Sequence, residues 1–339
     1  MNWSEQKTLV TGGASFISSH LIDLLVAKGA QRIRVVDDLS SGKLANIQHH
    51  LDSGRVEFHR EDLLHPGVAQ RMVQGMDVVF HLAAIHGGRG FVDLHQAACS
   101  QNIAMDGLLV KAAHEAGVDK FVFASSGCVY PNFLQGDVGQ ELYLSEEMVG
   151  PPYDADNMYG WAKLMTEMTL KAYAGDFGLK SASCRFFTVY GERGVENHAV
   201  IAMIARAFIR QNPFEVWGDG TQVRNWTYVA DIVRGMVLAA EKIDDGTAVN
   251  LGTEERTRVI DAVREVLRYT GHCAEFKLLP HMPTGPLNRV ACNRLARELL
   301  GWEPQMRFMD GLHRTADWYF ASREREAVSG NLQEMLTER

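Results

Sequence analysis

The chain has 339 residues, 46% of them hydrophobic and 22% charged, and a formal net charge of -8. That length is enough for one large or two modest domains with a substantial core. The acidic balance gives no general attraction to nucleic acid or to an acidic membrane, and no apolar run reaches the ~20 residues of a spanning helix.

The first element expected is a short buried strand over 7–10. A turn follows, Thr11-Gly12-Gly13-Ala14-Ser15-Phe16-Ile17-Ser18-Ser19-His20, then an amphipathic helix over 21–28. A second strand over 32–36 ends in Asp37-Asp38. Strand, tight turn, helix, strand and acid in that order are the pattern of a dinucleotide site. The helix start offers free N–H groups and a positive dipole end to a pyrophosphate. Asp37 is placed to accept from a ribose diol and to repel a 2′-phosphate, which favours NAD over NADP.

Further strands are expected over 55–59, 77–82, 120–124 and 180–186, with helices over 66–74, 101–116 and 158–174 between them. This alternation predicts a Rossmann-like, doubly wound α/β fold with a parallel sheet covered on both faces. Beyond Phe187 the pattern is irregular. Helices are expected over 198–210, 231–241, 258–270 and 294–300, and extended pieces over 214–217, 227–229 and 248–251. The expected division is a dinucleotide-binding domain over 1–186 that also receives 228–252. A smaller substrate domain takes 187–227 and 253–325, and 326–339 reads as a C-terminal tail. The cysteines at 99, 128, 184, 273 and 292 have no CxxC pair and no metal spacing. They predict reduced thiols, a cytoplasmic setting and no metal.

Tyr159-Gly160-Trp161-Ala162-Lys163 places a phenol and an amine one helical turn apart on one face. An ammonium beside a phenol is expected to lower the tyrosine pKa. Ser126, at the end of the strand over 120–124, is positioned to hold a substrate oxygen against that phenol. Such a trio takes a proton from an alcohol as hydride leaves its carbon.

With Asp37–Gly42, Glu61-Asp62-Leu63, His81-Leu82-Ala83-Ala84, the Tyr159/Lys163 pair, Trp217–Arg224, Tyr228–Asp231 and Leu300–Pro304, the chain resembles the extended short-chain dehydrogenase/reductases that act as nucleotide-sugar epimerases and dehydratases. The resemblance runs from residue 7 to about 320. It implies an NAD cofactor held by Gly12, Ser15, Phe16, Ile17, Asp37, Asp62, Leu63, Leu82, Ala84 and Asn102 together with Tyr159 and Lys163. Asp62 and Leu63 would meet the adenine, and Asn102 would lie near the nicotinamide. A nucleotide-diphosphate sugar is the implied substrate and a homodimer the implied assembly, built on the helices around Tyr159 and over 101–116.

Gly87-Gly88-Arg89-Gly90-Phe91 and Ala124–Pro131 resemble the GDP-mannose 3,5-epimerase subgroup, where the position of Cys128 is an acid/base at the sugar ring. Oxidation at C4 acidifies the protons on C3 and C5, and a group on each face can then exchange them. The subgroup's second such group is a lysine; here His198 falls closest to it. Gly87, Gly88, Arg89, Ser126 and Trp217 are candidate substrate contacts, and Arg224 and Arg289 candidate diphosphate forks. The turn departs from the family at Ser15 and Ser18, which stand where relatives carry glycine, and Thr188 stands where many carry asparagine. A dehydratase, a pyranose/furanose ring mutase and a non-catalytic nucleotide-binding relative remain open alternatives.

Overall fold

The computed structural model describes residues 1–338. Seven strands form the central sheet: β1 (Lys7–Thr11), β2 (Arg32–Asp37), β3 (Val56–Arg60), β4 (Val78–His81), β5 (Lys120–Ser126), β6 (Ser181–Phe186) and β7 (Asp245–Leu251). Their order is β7-β6-β5-β4-β1-β2-β3, and every pairing is parallel. Period-two alternation sorts the strand side chains onto two buried faces. Val10, Phe80 and Val122 join one apolar cluster, and Leu9, Val79, Phe121 and Phe123 join the other. Burial on both faces explains why these strands read as continuous apolar runs.

The longer helices are α1 (Phe16–Ala27), α2 (Gln96–Glu115), α3 (Asn157–Phe177), α4 (Ala199–Phe208), α5 (Val229–Lys242), α6 (Val259–Thr270), α7 (Phe308–Ser322) and α8 (Arg325–Thr337). Leu21, Ile22 and Leu25 of α1 and Ile232, Val233 and Met236 of α5 cover the first face. Met105, Leu109 and Val110 of α2 and Leu170 of α3 cover the second. A further core joins α4, α6, α7 and α8, with Ile204, Phe208, Val263, Val266, Leu312 and Tyr319 buried in it.

The structure differs from the sequence reading at several places, among them the helix Phe308–Ser322 and the strand Phe276–Leu279, which the reading lacked. Helix α1 starts at Phe16 rather than 21, because Ser18 and Ser19 are buried in its first turns and Ser19 Oγ donates to Phe16 O at 2.9 Å. Helix α2 starts at Gln96 rather than 101, with Gln96 Oε1 accepting the Met158 N–H at 2.8 Å. The segment read as a tail is α8. Val328, Leu332 and Leu336, four residues apart, form a buried stripe along it.

The sheet order reverses between β4 and β2, on either side of β1. Crevices for ligands open at such a switch point, outside the carboxyl ends of the strands.

Candidate active site

A cavity of about 960 Å³ opens there, running from Gly12 and Asp37 to Arg224 and Arg289. At its first end the backbone makes the surface. Gly12 has φ 63°, and a Cβ there would lie 2.9 Å from Ala83 Cα. That combination of left-handed backbone and close approach needs glycine. Ser15 caps α1 without a side-chain hydrogen bond, and Ser15, Phe16, Ile17 and Ser18 line the cavity. A helix start of this kind fits a pyrophosphate. Asp37 accepts from the N–H groups of Ala14 at 2.9 Å and Leu39 at 2.8 Å. It therefore pins the turn from its place on the cavity wall. Asp62, Leu63, Leu82 and Ala84 also line the cavity. Asn102 does not reach it: Oδ1 accepts from Ile85 N at 2.7 Å, and Nδ2 donates to Ile85 O and Cys99 O at 2.9 Å. Its role is to fix the loop after β4.

Tyr159, Lys163, Ser126 and Cys128 converge on the middle of the cavity. Their spacing is set by tight packing. A Cβ on Gly160 would lie 2.3 Å from Cys128 O, so only glycine lets α3 come this close to the turn after β5. Ser126 Oγ accepts from Cys128 N at 3.1 Å. Below them a buried chain runs from Thr11 Oγ1 to His81 Nδ1 at 2.7 Å. It continues from His81 Nε2 to Asp106 at 2.9 Å and from Thr166 Oγ1 to Asp106 at 2.8 Å. It ties β1, β4, α2 and α3 together. Arg185 and Glu167, a buried ion pair at 2.7 Å, tie β6 to α3.

Lys163 Nζ stands 5.6 Å from the Tyr159 ring and 4.5 Å from the Phe123 ring. The expected lowering of the phenol pKa is reversed in the protein alone. Burial, then Cys128, Asp106 and Cys99, push Tyr159 up, with Ser126 opposing them, and burial pushes Lys163 down.

The far end is built from side chains. Arg289 donates to Gln135 Oε1 at 2.7 Å, to Asp156 Oδ2 at 3.0 Å and to Cys128 Sγ at 3.3 Å. Arg89 pairs with Asp156 at 2.7 Å and Asp93 at 2.6 Å. Arg224 donates to the carbonyls of Thr284 at 2.7 Å and Val223 at 2.9 Å. Burial, then the neighbouring Arg289 and Arg89, hold Arg224 down to about 9. Three guanidinium groups thus face two carboxylates, an excess of positive charge suited to an anion. Gly87 and Gly88 have no room for a side chain, since a Cβ on Gly88 would lie 1.7 Å from Asn197 O. Trp217 and His198 are also on the wall, and burial pushes His198 down to about 4.

Sequence reasoning missed several lining residues. Among the described residues, Asn197 Oδ1, Arg206 Nε, Gln222 Oε1 and Trp226 Nε1 are buried without a hydrogen-bond partner, and all four residues line this cavity. Native proteins seldom leave such atoms unpaired, and four of them lie in residues of this one wall. Burial also pushes Arg206 down to about 10. Every residue of α4 from Val200 to Phe208 is buried, so no periodicity in the sequence sets this arginine apart. His86 was missed too. Its ring lies 5.7 Å from that of Tyr159 and 5.8 Å from that of His198. Away from the cavity, Asp23, His49 and His50 bring three potential metal ligands within 4.8 Å, with Arg193 on the other oxygen of Asp23 at 2.7 Å.

A doubly wound sheet, a glycine-turned helix start and a Tyr/Lys pair beside a strand-end serine define an extended short-chain dehydrogenase/reductase. The sequence pattern of the NAD dependent epimerase/dehydratase family matches residues 8–252, and the chain belongs to that family. It is 32% identical to GDP-mannose 3,5-epimerase 1 of Oryza sativa subsp. japonica, over 97% of this chain and 86% of the relative. It is 34% identical to the uncharacterized UDP-glucose epimerase YtcB of Bacillus subtilis (strain 168), over 90% and 95%. It also resembles the crystal structure of UDP-glucuronic acid 4-epimerase from Bacillus cereus in complex with UDP-glucuronic acid and NAD. There the TM-score is 0.83 at 31% identity, covering 92% of this chain and 98% of that one. The chain is an enzyme of this family and NAD is its cofactor. No helix among the described residues is long and apolar enough to cross a membrane.

Proposed function

We propose that this enzyme is a nucleotide-sugar epimerase acting on a GDP-sugar, by transient oxidation at C4 and proton transfer at C3 and C5. The observation that carries the reading is the Arg289–Cys128 contact of 3.3 Å, on the wall that also holds Tyr159. The guanidinium's hydrogen bond fixes the Cys128 sulfur on the cavity wall, beside the position of a bound ring. Inversion at C4 alone has no use for a base there, whereas exchange at a neighbouring ring carbon requires one. The relatives named for GDP-mannose 3,5-epimerisation support the same choice.

Bound NAD supplies the acceptor and donor of the C4 hydride. Ser126 holds the C4 oxygen, and Tyr159 takes and returns its proton. Lys163, on the same helix face, would donate to the cofactor ribose and the phenol. Cys128 exchanges a ring-carbon proton. Arg224 and Arg289, the diphosphate forks read from the sequence, draw the diphosphate with Arg89 beside them, and Arg206, Gln222 and Trp226 line the nucleotide end.

Incubation with GDP-, UDP- and dTDP-sugars, with and without added NAD, tests this directly. The expected result is a new GDP-sugar epimer by proton NMR, with solvent deuterium at C3 or C5. Conversion of a UDP-sugar at C4 with no deuterium would overturn the GDP-sugar and ring-carbon parts, and would favour the reading that YtcB's name suggests.

The assembly proposed is a homodimer through α2 and α3. Ile103 and Leu108 of α2 and Trp161, Met165 and Met168 of α3 are exposed apolar side chains. Such a face is characteristic of an interface. Sedimentation is expected to give a dimer that Met165→Asp dissociates; a wild-type monomer would refute it.

A further inference from the structure

Ring-carbon inversion needs two proton-handling groups, because a single base returns the proton to the face it came from. Cys128 supplies one. Tyr159 is occupied with the C4 oxygen. Two imidazoles also line this cavity: His86, whose ring meets that of Tyr159, and His198, whose ring meets that of His86. Burial holds His198 at about 4, so its cationic form is scarcely populated at neutral pH. It is a poor source of a proton. His86 packs against both it and the phenol, with ring centroids 5.8 Å and 5.7 Å away.

His86 is also held in place. It follows β4 in a loop whose next two residues are Gly87 and Gly88. A Cβ on Gly87 would lie 2.7 Å from Phe91 Cβ, and one on Gly88 would meet Asn197 O. The loop is therefore locked between the short helix Arg89–Leu94 and the segment leading into α4. Cys128 comes from another wall, the turn after β5 against Gly160.

We propose that His86 is the second acid/base of the ring-carbon exchange, working from the loop after β4 while Cys128 works from the turn after β5. The inference rests on the epimerase reading above. With C4 as a ketone, the adjacent C–H bond breaks. The proton forms S–H on the Cys128 thiolate, and the electron pair moves to the C4 oxygen as an enolate. The His86 imidazolium then gives its N–H proton to the other face. The C–H bond re-forms, the ketone is restored and the imidazole is left neutral. The thiol proton returns to His86 through solvent, so the cycle has no net gain or loss.

The test compares wild type with His86→Asn and His86→Gln in deuterated water with NAD and GDP-mannose. Deuterium at C3 and C5 is read by proton NMR, and reduction of the bound cofactor by its near-ultraviolet absorbance. Wild type is expected to exchange. Both variants are expected to exchange at least about 100-fold more slowly while cofactor reduction persists. Exchange in a variant at the wild-type rate would overturn the role of His86 and leave the epimerase reading standing. C4 inversion by wild type without any exchange would remove that reading and this inference with it. A readout that needs no variant is the His86 ring resonance of wild type. It is expected to shift when GDP-mannose is added without NAD, and an unmoved resonance would also overturn the proposal.

Discussion

At the cofactor end of the cleft the wall is backbone: a glycine at φ 63°, a helix start without a side-chain cap, and a carboxylate turned inward to hold the turn. At the nucleotide-sugar end it is side chains: three arginines, two carboxylates, two imidazoles and four polar atoms that no protein group satisfies. The first end depends on shape and is complete in itself. The second carries unspent charge and hydrogen-bonding capacity. Substitutions at the cofactor end should therefore damage the fold and binding together. At the other end the two should separate.

The phenol lies where the ends meet and gives the largest effect. Tyr159→Phe is expected to lower turnover by about 10²- to 10⁴-fold with the cofactor still bound, measured by steady-state assay and by absorbance of the purified protein. Retained turnover would break the comparison at its centre, since the hydride step would not need this phenol.

Arg206→Met is expected to weaken nucleoside-diphosphate binding by about 10- to 100-fold, the range for a charge-assisted hydrogen bond. Its effect on the unliganded fold should be neutral or stabilising, because an under-partnered buried cation is replaced by an apolar chain of similar length. Calorimetric titration and denaturant unfolding read the two signs. Gly12→Ala is expected to lose in both measurements, with about 1–3 kcal/mol of stability lost through left-handed strain and the Ala83 contact.

The smallest effect is a slope. His198 is held near 4 in the fold, below its ordinary value of 6.5. Between those values the unfolded chain binds the extra proton, so stability falls as pH drops from 6.5 toward 4. The contribution is at most about 1.4 kcal/mol per pH unit. His198→Asn should flatten that part of the curve in denaturant melts at stepped pH, and an unchanged slope would place the imidazole in solvent.

The same contrast explains what the sequence disclosed. β1, its turn and β2 are contiguous, and each local preference there agrees with the fold. The order of strand, turn, helix and strand was legible there, and Asp37 lies on the cavity wall as read, though its carboxylate holds the turn. Asn102 was misplaced because a buried amide that satisfies a loop looks, in one dimension, like one that faces a ligand. The far end joins residues near 86, 128, 156, 206, 224 and 289, and no spacing rule connects them. Arg224 and Arg289 were found by resemblance, but not their contacts with Thr284 and Cys128. Arg206 and His86 emerged only once the chain had closed on itself. The tail was misread although its four-residue apolar repeat was present, because polar residues between Val328, Leu332 and Leu336 hid it.

The junction of Cys128 with α3 has a consequence for how this scaffold tolerates change. Cys128 O accepts from Asp156 N at 2.8 Å and also abuts Gly160. The chain therefore leaves for residues 129–155 and returns to the same point. That excursion is clasped at its neck, and its length and composition do not set the distance between thiol and phenol. A change within that segment leaves Cys128 and Tyr159 at the same spacing so long as the contacts with Asp156 and Gly160 hold.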